Sequence, residues 1–339
     1  MRQILIALLS FITGVALTLS VRCHSPVERP VTSIAAATSS STALPAPASS
    51  VAQATETYDS WPDEAPTPEQ VFYAQPALLQ QAFEALTPRV PGQPNLYIVA
   101  FAGDGSQNVF RNEAEYAAKL FAQRFGPTTH TLVLENNPAS LGDHPLASWS
   151  NLEASLDQLT RVMHPDQDIL LLYLATHGSE DHTLLVDMDP LPLDQIDADN
   201  LAGIIKPRPF KWKVIVVNAC YSGGFIPPLR SPGTLILTAA RSDRSSFGCG
   251  NESDLTYFGH AWLVNALNHT DNFVDAFKQA RHEIAGWEKQ DKLTPSEPQI
   301  DVGRGIENRL ELWRSALKPG APVPFAPASS SVGQPPASH

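Results

Sequence analysis

Ile169-Leu170-Leu171-Leu172-Tyr173-Leu174 runs through Ala175 and Thr176 into His177-Gly178, and Val214-Ile215-Val216-Val217 runs through Asn218 and Ala219 into Cys220. Runs this short, aliphatic and uninterrupted read as strands covered on both faces, as in a parallel sheet. Open α/β sheets place their chemistry beyond the carboxyl ends of such strands. A histidine and a cysteine just past two strand ends therefore belong to one crevice. A thiol with a neighbouring imidazole is the minimum kit for nucleophilic catalysis by cysteine.

Outward from these blocks, Leu96 to Phe101 reads as the first strand, closed by the turn signal Gly103-Asp104-Gly105. Ala114, Ala117, Ala118, Phe121 and Phe125 make one apolar stripe of a helix over 112–125. Residues 131–134 read as a second strand. Ser150-Asn151-Leu152-Glu153 is a capping box heading a helix whose inner face carries Leu152, Leu156, Leu159 and Met163. A small hairpin is expected over 182–186, a helix over 192–205, strands over 213–218 and 234–238, and helices over 254–268 and 272–289. The alternation predicts a mostly parallel sheet with helices on both faces. Gly103-Asp104-Gly105-Ser106 is too short for a dinucleotide or phosphate fingerprint, so nucleotide binding is not expected.

The chain has 339 residues and a net charge of −12, with no Lys/Arg-rich run, which argues against nucleic acid as a partner. Cys23, Cys220 and Cys249 fit no zinc or redox spacing and build no disulfide framework. Residues 25–60 are dominated by Ala, Ser, Thr, Pro and Val, and residues 318–339 by Pro, Ala and Ser. Neither has the apolar density for a core, so they read as a flexible linker and a disordered tail around one domain over 61–317. Ile4 to Val21 is uncharged between Arg2 and Arg22, at the bilayer-spanning threshold of about 18 residues. Residues 1–24 are thus either an uncleaved membrane anchor or a secretory signal cleaved near Ser20. Arg22 before Cys23 argues against a lipoprotein-type site. Under both readings the domain is exported, tethered on the periplasmic side of the inner membrane or free as a periplasmic or secreted protein.

A cysteine at a strand end is commonly a small buried hydrophobe, and a histidine there commonly a satisfied strand cap. The context favours chemistry. Tyr221-Ser222-Gly223-Gly224-Phe225 is turn-forming, so the Cys220 thiol is expected at a bend where backbone N–H groups stabilise a thiolate and later an oxyanion. Gly178 lets the backbone approach a substrate carbonyl. His182 falls in the expected hairpin and His260 and His282 on helices, so none shares the setting of His177.

On these residues the chain resembles the legumain (asparaginyl endopeptidase) family of cysteine peptidases, as a bacterial-type member. Its wider relatives are the caspases and the transamidase that attaches lipid anchors. The similarity continues through Thr238-Ala239-Ala240, Ser245-Ser246-Phe247-Gly248-Cys249 and Thr256-Tyr257-Phe258-Gly259, with Phe110-Arg111 similar to the segment supplying a pocket arginine. It covers roughly residues 95–290. The resemblance implies a three-layer caspase/hemoglobinase-like fold, with a mostly parallel sheet of about six strands and helices on both faces. It implies His177 as general base and acid, Cys220 as nucleophile, and the N–H groups of Gly178 and Cys220 as the oxyanion hole, with no metal or organic cofactor. The partner implied is a peptide or protein substrate.

Two positions depart from the family. Asn218 stands where the pocket has one acid, and His260 where it has another; Arg111 and Ser245 match. With Arg111, Asn218, Ser245 and His260 lining the pocket, a small polar or acidic residue is expected before the scissile bond. If the alignment slips by a residue, His260 faces solvent and Asp254 or Glu252 supplies the acid. The leading expectation is an endopeptidase working through a thioester. A transpeptidase with the same dyad and a catalytically inactive peptide-binding module on the same fold are the alternatives. An α/β-hydrolase with a cysteine nucleophile would need a Gly-x-Cys-x-Gly elbow, and Asn218-Ala219-Cys220-Tyr221-Ser222 lacks one.

Overall fold

A computed structural model describes Trp61 and residues 65–250 and 253–327. The expected anchor or signal, Ile4 to Val21, lies outside the described residues, as do Cys23 and Glu252. No helix of the described residues is long and apolar enough to cross a membrane.

The elements follow in order: α1 (Pro68–Glu84), β1 (Leu96–Ala102), α2 (Asn108–Arg124), β2 (Thr129–Glu135), α3 (Trp149–Val162), β3 (Ile169–Ala175), β4 (Thr183–Leu184), β5 (Ile196–Asp197), α4 (Ala198–Ile205) and β6 (Trp212–Asn218). Then come α5 (Ile226–Leu229), β7 (Thr234–Thr238), α6 (Tyr257–Gly259, running on as a π-helical turn His260–Ala266), α7 (Phe273–Gln290), β8 (Gln299–Val302) and α8 (Ile306–Ser315). The six-stranded sheet has the order β2-β1-β3-β6-β7-β8. Every pairing is parallel except that of β8, which runs antiparallel to β7. The expected sheet of about six strands with helices on both faces is borne out.

Two cores flank the sheet because alternate strand residues point to opposite faces. On one face Leu96, Ile98 and Ala100 of β1 pack with Ala117 and Phe121 of α2, Trp262 of the π-helical turn, Phe277 of α7 and Trp313 of α8. On the other, Tyr97, Val99 and Phe101 pack with Leu152 and Leu156 of α3, Leu201 of α4 and Leu79 of α1. Burying each such large apolar side chain contributes about 1.5–3 kcal/mol. β3 is buried at every position, which is why it reads as an unbroken apolar run.

Some boundaries differ from expectation for local reasons. The α3 N-cap is Ser148, not Ser150: its hydroxyl accepts from Asn151 N at 3.2 Å. The helix expected from Pro192 begins only at Ala198, where Asp197 Oδ1 accepts from Asn200 N at 2.7 Å. The preceding Ile196–Asp197 is drawn into a two-stranded pairing with Thr183–Leu184. Residues 320–325, expected as tail, pack against the body. Tyr116 Oη donates to Val323 O (2.8 Å), Val323 N to Asn268 Oδ1 (2.7 Å) and Gly320 N to Arg124 O (2.7 Å).

Candidate active site

The site grows from the β3–β6 register. Ala175 lies opposite Asn218, so His177 and Cys220 each stand two residues beyond a paired position at the same sheet edge. The two loops then touch: a Cβ on Gly178 would lie 2.3 Å from Cys220 O, so glycine is required there. The loop after β3 continues a ladder in which Leu185 N donates to His177 O and Ser179 N to Thr183 O, both at 3.0 Å. Gly178 bridges Leu184 between those bonds, in the position that exchanges none, and its N–H is turned out of the pairing.

His177 is held from β1 and α2. Its Nε2 lies 3.2 Å from Gln107 Oε1 and 3.5 Å from Asp104 Oδ2, and its ring meets the Phe110 ring edge-on at 5.0 Å. Sequence reasoning treated Gly103-Asp104-Gly105 only as a turn and passed over Gln107. The available signal was an acid just beyond the β1 end, at the edge where the chemistry sits.

Cys220 is held from the segment after β7. Ser246 N donates to Cys220 Sγ at 3.2 Å, and Ser246 Oγ lies 3.5 Å from the sulfur. The turn is tight: Tyr221 has φ 56°, a left-handed conformation rare outside glycine, and its N–H donates to Arg244 O at 2.7 Å. The Cys220 thiol is pulled down to about 5, first by the hydrogen bond from Cys249, then by Ser246 and the nearby His177 against the cost of burial. Cys249 is pushed up correspondingly, chiefly by the same bond. The negative charge belongs on Cys220, because the Ser246 donors and the imidazole gather there. Both cysteines are free thiols.

Beneath this turn lies a buried polar cluster. Asn218 continues the inward row Val214 and Val216 of β6, and its Nδ2 donates to Glu113 Oε2 (2.5 Å) and Thr256 Oγ1 (2.9 Å). Tyr173 Oη donates to the same Glu113 oxygen at 2.8 Å, and Thr256 N donates to Glu113 Oε1 at 2.7 Å. Glu113 is fully buried, and desolvation raises its carboxyl against the pull of these donors. A Cβ on Gly259 would stand 2.2 Å from Glu113 Oε1, so α6 can approach α2 here only through glycine. An acid does stand against Asn218, but it comes from α2.

The pocket residues named from sequence are not all gathered at this point. Arg111 Nε bonds Glu115 Oε1 at 2.7 Å and lies 3.7 Å from Glu135 Oε1. Ser245 is exposed, one residue before the Ser246 that bonds Cys220. His260 is exposed and stacked on Trp287 with ring centroids 5.4 Å apart, in a cleft shared with Tyr257. Asp254 is exposed, and its backbone O accepts from Asn112.

Among the described residues, Glu115, Glu135 and His144 present ligand atoms within 4.8 Å of one another. The Arg111 guanidinium already faces the two carboxylates, at 2.7 Å from Glu115 Oε1 and 3.7 Å from Glu135 Oε1. Burial pushes the Glu135 carboxyl up to about 7 and the His144 imidazole down.

The sheet edge carries a thiol that accepts from Ser246 N and an imidazole that faces the acceptors Gln107 Oε1 and Asp104 Oδ2. The model of the Peptidase C13 family matches residues 151–308, from the first turn of α3 to the first turn of α8, a span that contains both His177 and Cys220. Over that span the chain is similar to the Peptidase C13 family. Asp104, Gln107, Arg111 and Glu113 precede the matched span. Among solved structures the chain is similar to caspase-1 from Spodoptera frugiperda, with 15% identity over 65% of this chain and 88% of that one, at a TM-score of 0.44. No curated protein matches it.

Proposed function

We propose that the protein hydrolyses peptide bonds through Cys220 and His177. The thiolate attacks the scissile carbonyl and the N–H groups of Gly178 and Cys220 receive the oxyanion. The imidazolium then protonates the departing amine, leaving a thioester. Water, deprotonated by the same imidazole, attacks that thioester and frees the acid and the thiol. The observation that carries the reading is the Cys220 sulfur, which accepts from Ser246 N at the strand end beside His177.

The residue before the scissile bond is proposed to be small and polar or acidic. The polar floor at Asn218 and Thr256 supports a small polar side chain. An acidic one requires Arg111 to turn from Glu115, where its charge is now balanced. Matched substrates with Asn, Asp, Ala or Arg at that position separate these cases. Efficient cleavage after Arg rejects the pocket while leaving the dyad standing. Export is proposed from the uncharged run Ile4–Val21. Mass analysis of the mature N-terminus in fractionated cells tests it, and full-length protein in the cytosol contradicts it.

The deciding experiment labels full-length protein with a peptidyl electrophile and maps the modified residue. Modification of Cys220, with loss of labelling and turnover in a folded Cys220→Ala variant, is expected. Unchanged turnover in that variant sinks the reading.

A further inference from the structure

We propose that Glu115, Glu135 and His144 bind one divalent transition-metal ion of the zinc type, which displaces the Arg111 guanidinium from Glu115. The site stands at the C-terminal end of β2, separated from the His177 strand by β1. Three elements bring the ligands together. Glu135 closes β2, where it pairs with Ala102 of β1, and Glu115 comes from α2. His144 comes from the loop after β2, which folds back on its own strand. Glu135 N donates to Pro145 O and His144 N to Ser140 O, both at 3.0 Å. Asn137 Nδ2 donates to Asn108 Oδ1 at 2.9 Å and ties that loop to the start of α2. Each of the three side chains then presents one ligand atom within 4.8 Å of the others.

Glu135 is what points to a ligand. Its side chain has no exposed surface, yet neither carboxylate oxygen has a hydrogen-bond partner. The nearby Ser140 hydroxyl donates to Asn137 O at 3.3 Å. Arg111 directs its Nε to Glu115 Oε1 at 2.7 Å and stands 3.7 Å from Glu135 Oε1, beyond hydrogen-bond length. Buried charges are paired or coordinate metals, because leaving one without a partner is costly. One guanidinium balances one of the two carboxylates and leaves the other for a further cation.

The donor set selects the class of ion. Calcium and magnesium prefer shells built of oxygen, whereas an imidazole beside carboxylates suits zinc and its neighbours. Three protein ligands and a water complete a tetrahedral zinc shell, in which bonds of about 2.1 Å give edges of about 3.4 Å. The ligand atoms therefore close in from at most 4.8 Å. Glu115, with 30% of its side chain exposed, has the freedom to make that movement. Its carboxylate then turns from Arg111 to the ion, so the guanidinium and the ion compete for one partner.

The test titrates chelator-treated, full-length Cys220→Ala protein with ZnCl2 by calorimetry; the thiol is removed because a thiolate also binds zinc. Saturable binding of one ion per chain is expected. Glu115→Gln, Glu135→Gln, His144→Ala and Arg111→Gln are then added singly. Each of the first three should weaken binding by about 100-fold or more, since even an outer-shell partner of a metal is worth about 10- to 100-fold. Glu115→Gln alters a part-exposed side chain and keeps the test decisive if a Glu135 variant does not fold. Arg111→Gln should tighten binding, because the competing cation is gone. Calcium should compete poorly. No saturable binding overturns the proposal, as does an affinity that the three ligand variants leave unchanged. Calcium held as tightly as zinc, or binding no tighter in Arg111→Gln, overturns it as well.

Discussion

The loops after β3 and β6 hold their functional side chains in opposite ways. His177 is met by acceptors, Gln107 Oε1 and Asp104 Oδ2, which favour a ring carrying hydrogen. Cys220 is met more closely by a donor, Ser246 N at 3.2 Å, than by the acceptor Ser246 O at 3.6 Å, and Cys249 and Ser246 pull its thiol down. The acceptors settle which ring nitrogen of His177 carries hydrogen, and the donors favour the thiolate of Cys220. A nucleophile and its base need not be adjacent in sequence when their environments are tuned in opposite senses at one sheet edge.

The comparison breaks most severely at the acceptor side. His177→Ala should lower acylation by about two to four orders of magnitude, the usual worth of a positioned acid–base group. Binding should change less. A near-normal kcat with only a raised KM would make His177 a binding residue.

Next in size is Glu113, which lies under both loops through Tyr173 on β3 and Asn218 on β6. Glu113→Ala strands two buried donors, Tyr173 Oη and Thr256 N, and removes one acceptor of Asn218 Nδ2, which keeps Thr256 Oγ1. The loss should be on the order of 3 kcal/mol or more, read by denaturant unfolding. A loss well under 1 kcal/mol would mean that water replaces the carboxylate and that the floor is open.

A third strand end supplies a control. Glu135 closes β2, and its carboxyl is raised from 4.5 to about 7, burial first. A raised carboxyl contributes stability that is fully present below about 4.5 and lost as pH rises through about 7. The wild type should therefore lose up to about 3 kcal/mol across that window from this group, and Glu135→Gln should lose less. Parallel melting curves between pH 4.5 and pH 8 would show that Arg111 neutralises Glu135 fully.

The smallest effect belongs to Cys249. Cys249→Ala removes the thiol that does most to pull Cys220 down, so the Cys220 thiolate should form at higher pH, which shifts the acid limb of Cys220 alkylation upward. Cys249→Ser keeps a donor and should keep most activity. An unmoved limb in the alanine variant would leave Ser246 and His177 as sufficient cause.

Much of this site was legible as pattern. Parallel strands covered on both faces appear as aliphatic runs, so β3 and β6 and the residues just past them stood out. The residues supporting His177 did not. Asp104 sits in a short glycine turn, and Gln107 heads a helix whose start lacks a cap signal, so neither carried a periodic mark. Glu113 was hidden by its position within the α2 stripe, where an acid reads as a surface residue; only the α2–α6 approach through Gly259 reveals it as buried. His260 failed to join the floor because the π-helical turn that begins there directs it to Trp287. β8 and α8 were missed because four short polar-rich strand residues and a mixed-charge helix give weak periodic signals.

The strap over residues 320–325 fixes where this folding unit can be cut. A chain shortened to Leu317 would leave Asn268 Oδ1 without the Val323 amide, Tyr116 Oη without its carbonyl, and Arg124 Nη1 without Gly320 O. It would also uncover the Tyr116 ring edge that Phe325 now meets at 5.3 Å. These groups line the C-terminal half of α2, the helix whose other end presents Gln107 to the imidazole. The proline- and alanine-rich composition that marks a dispensable extension thus serves, over its first few residues, as a latch on the far end of that same helix.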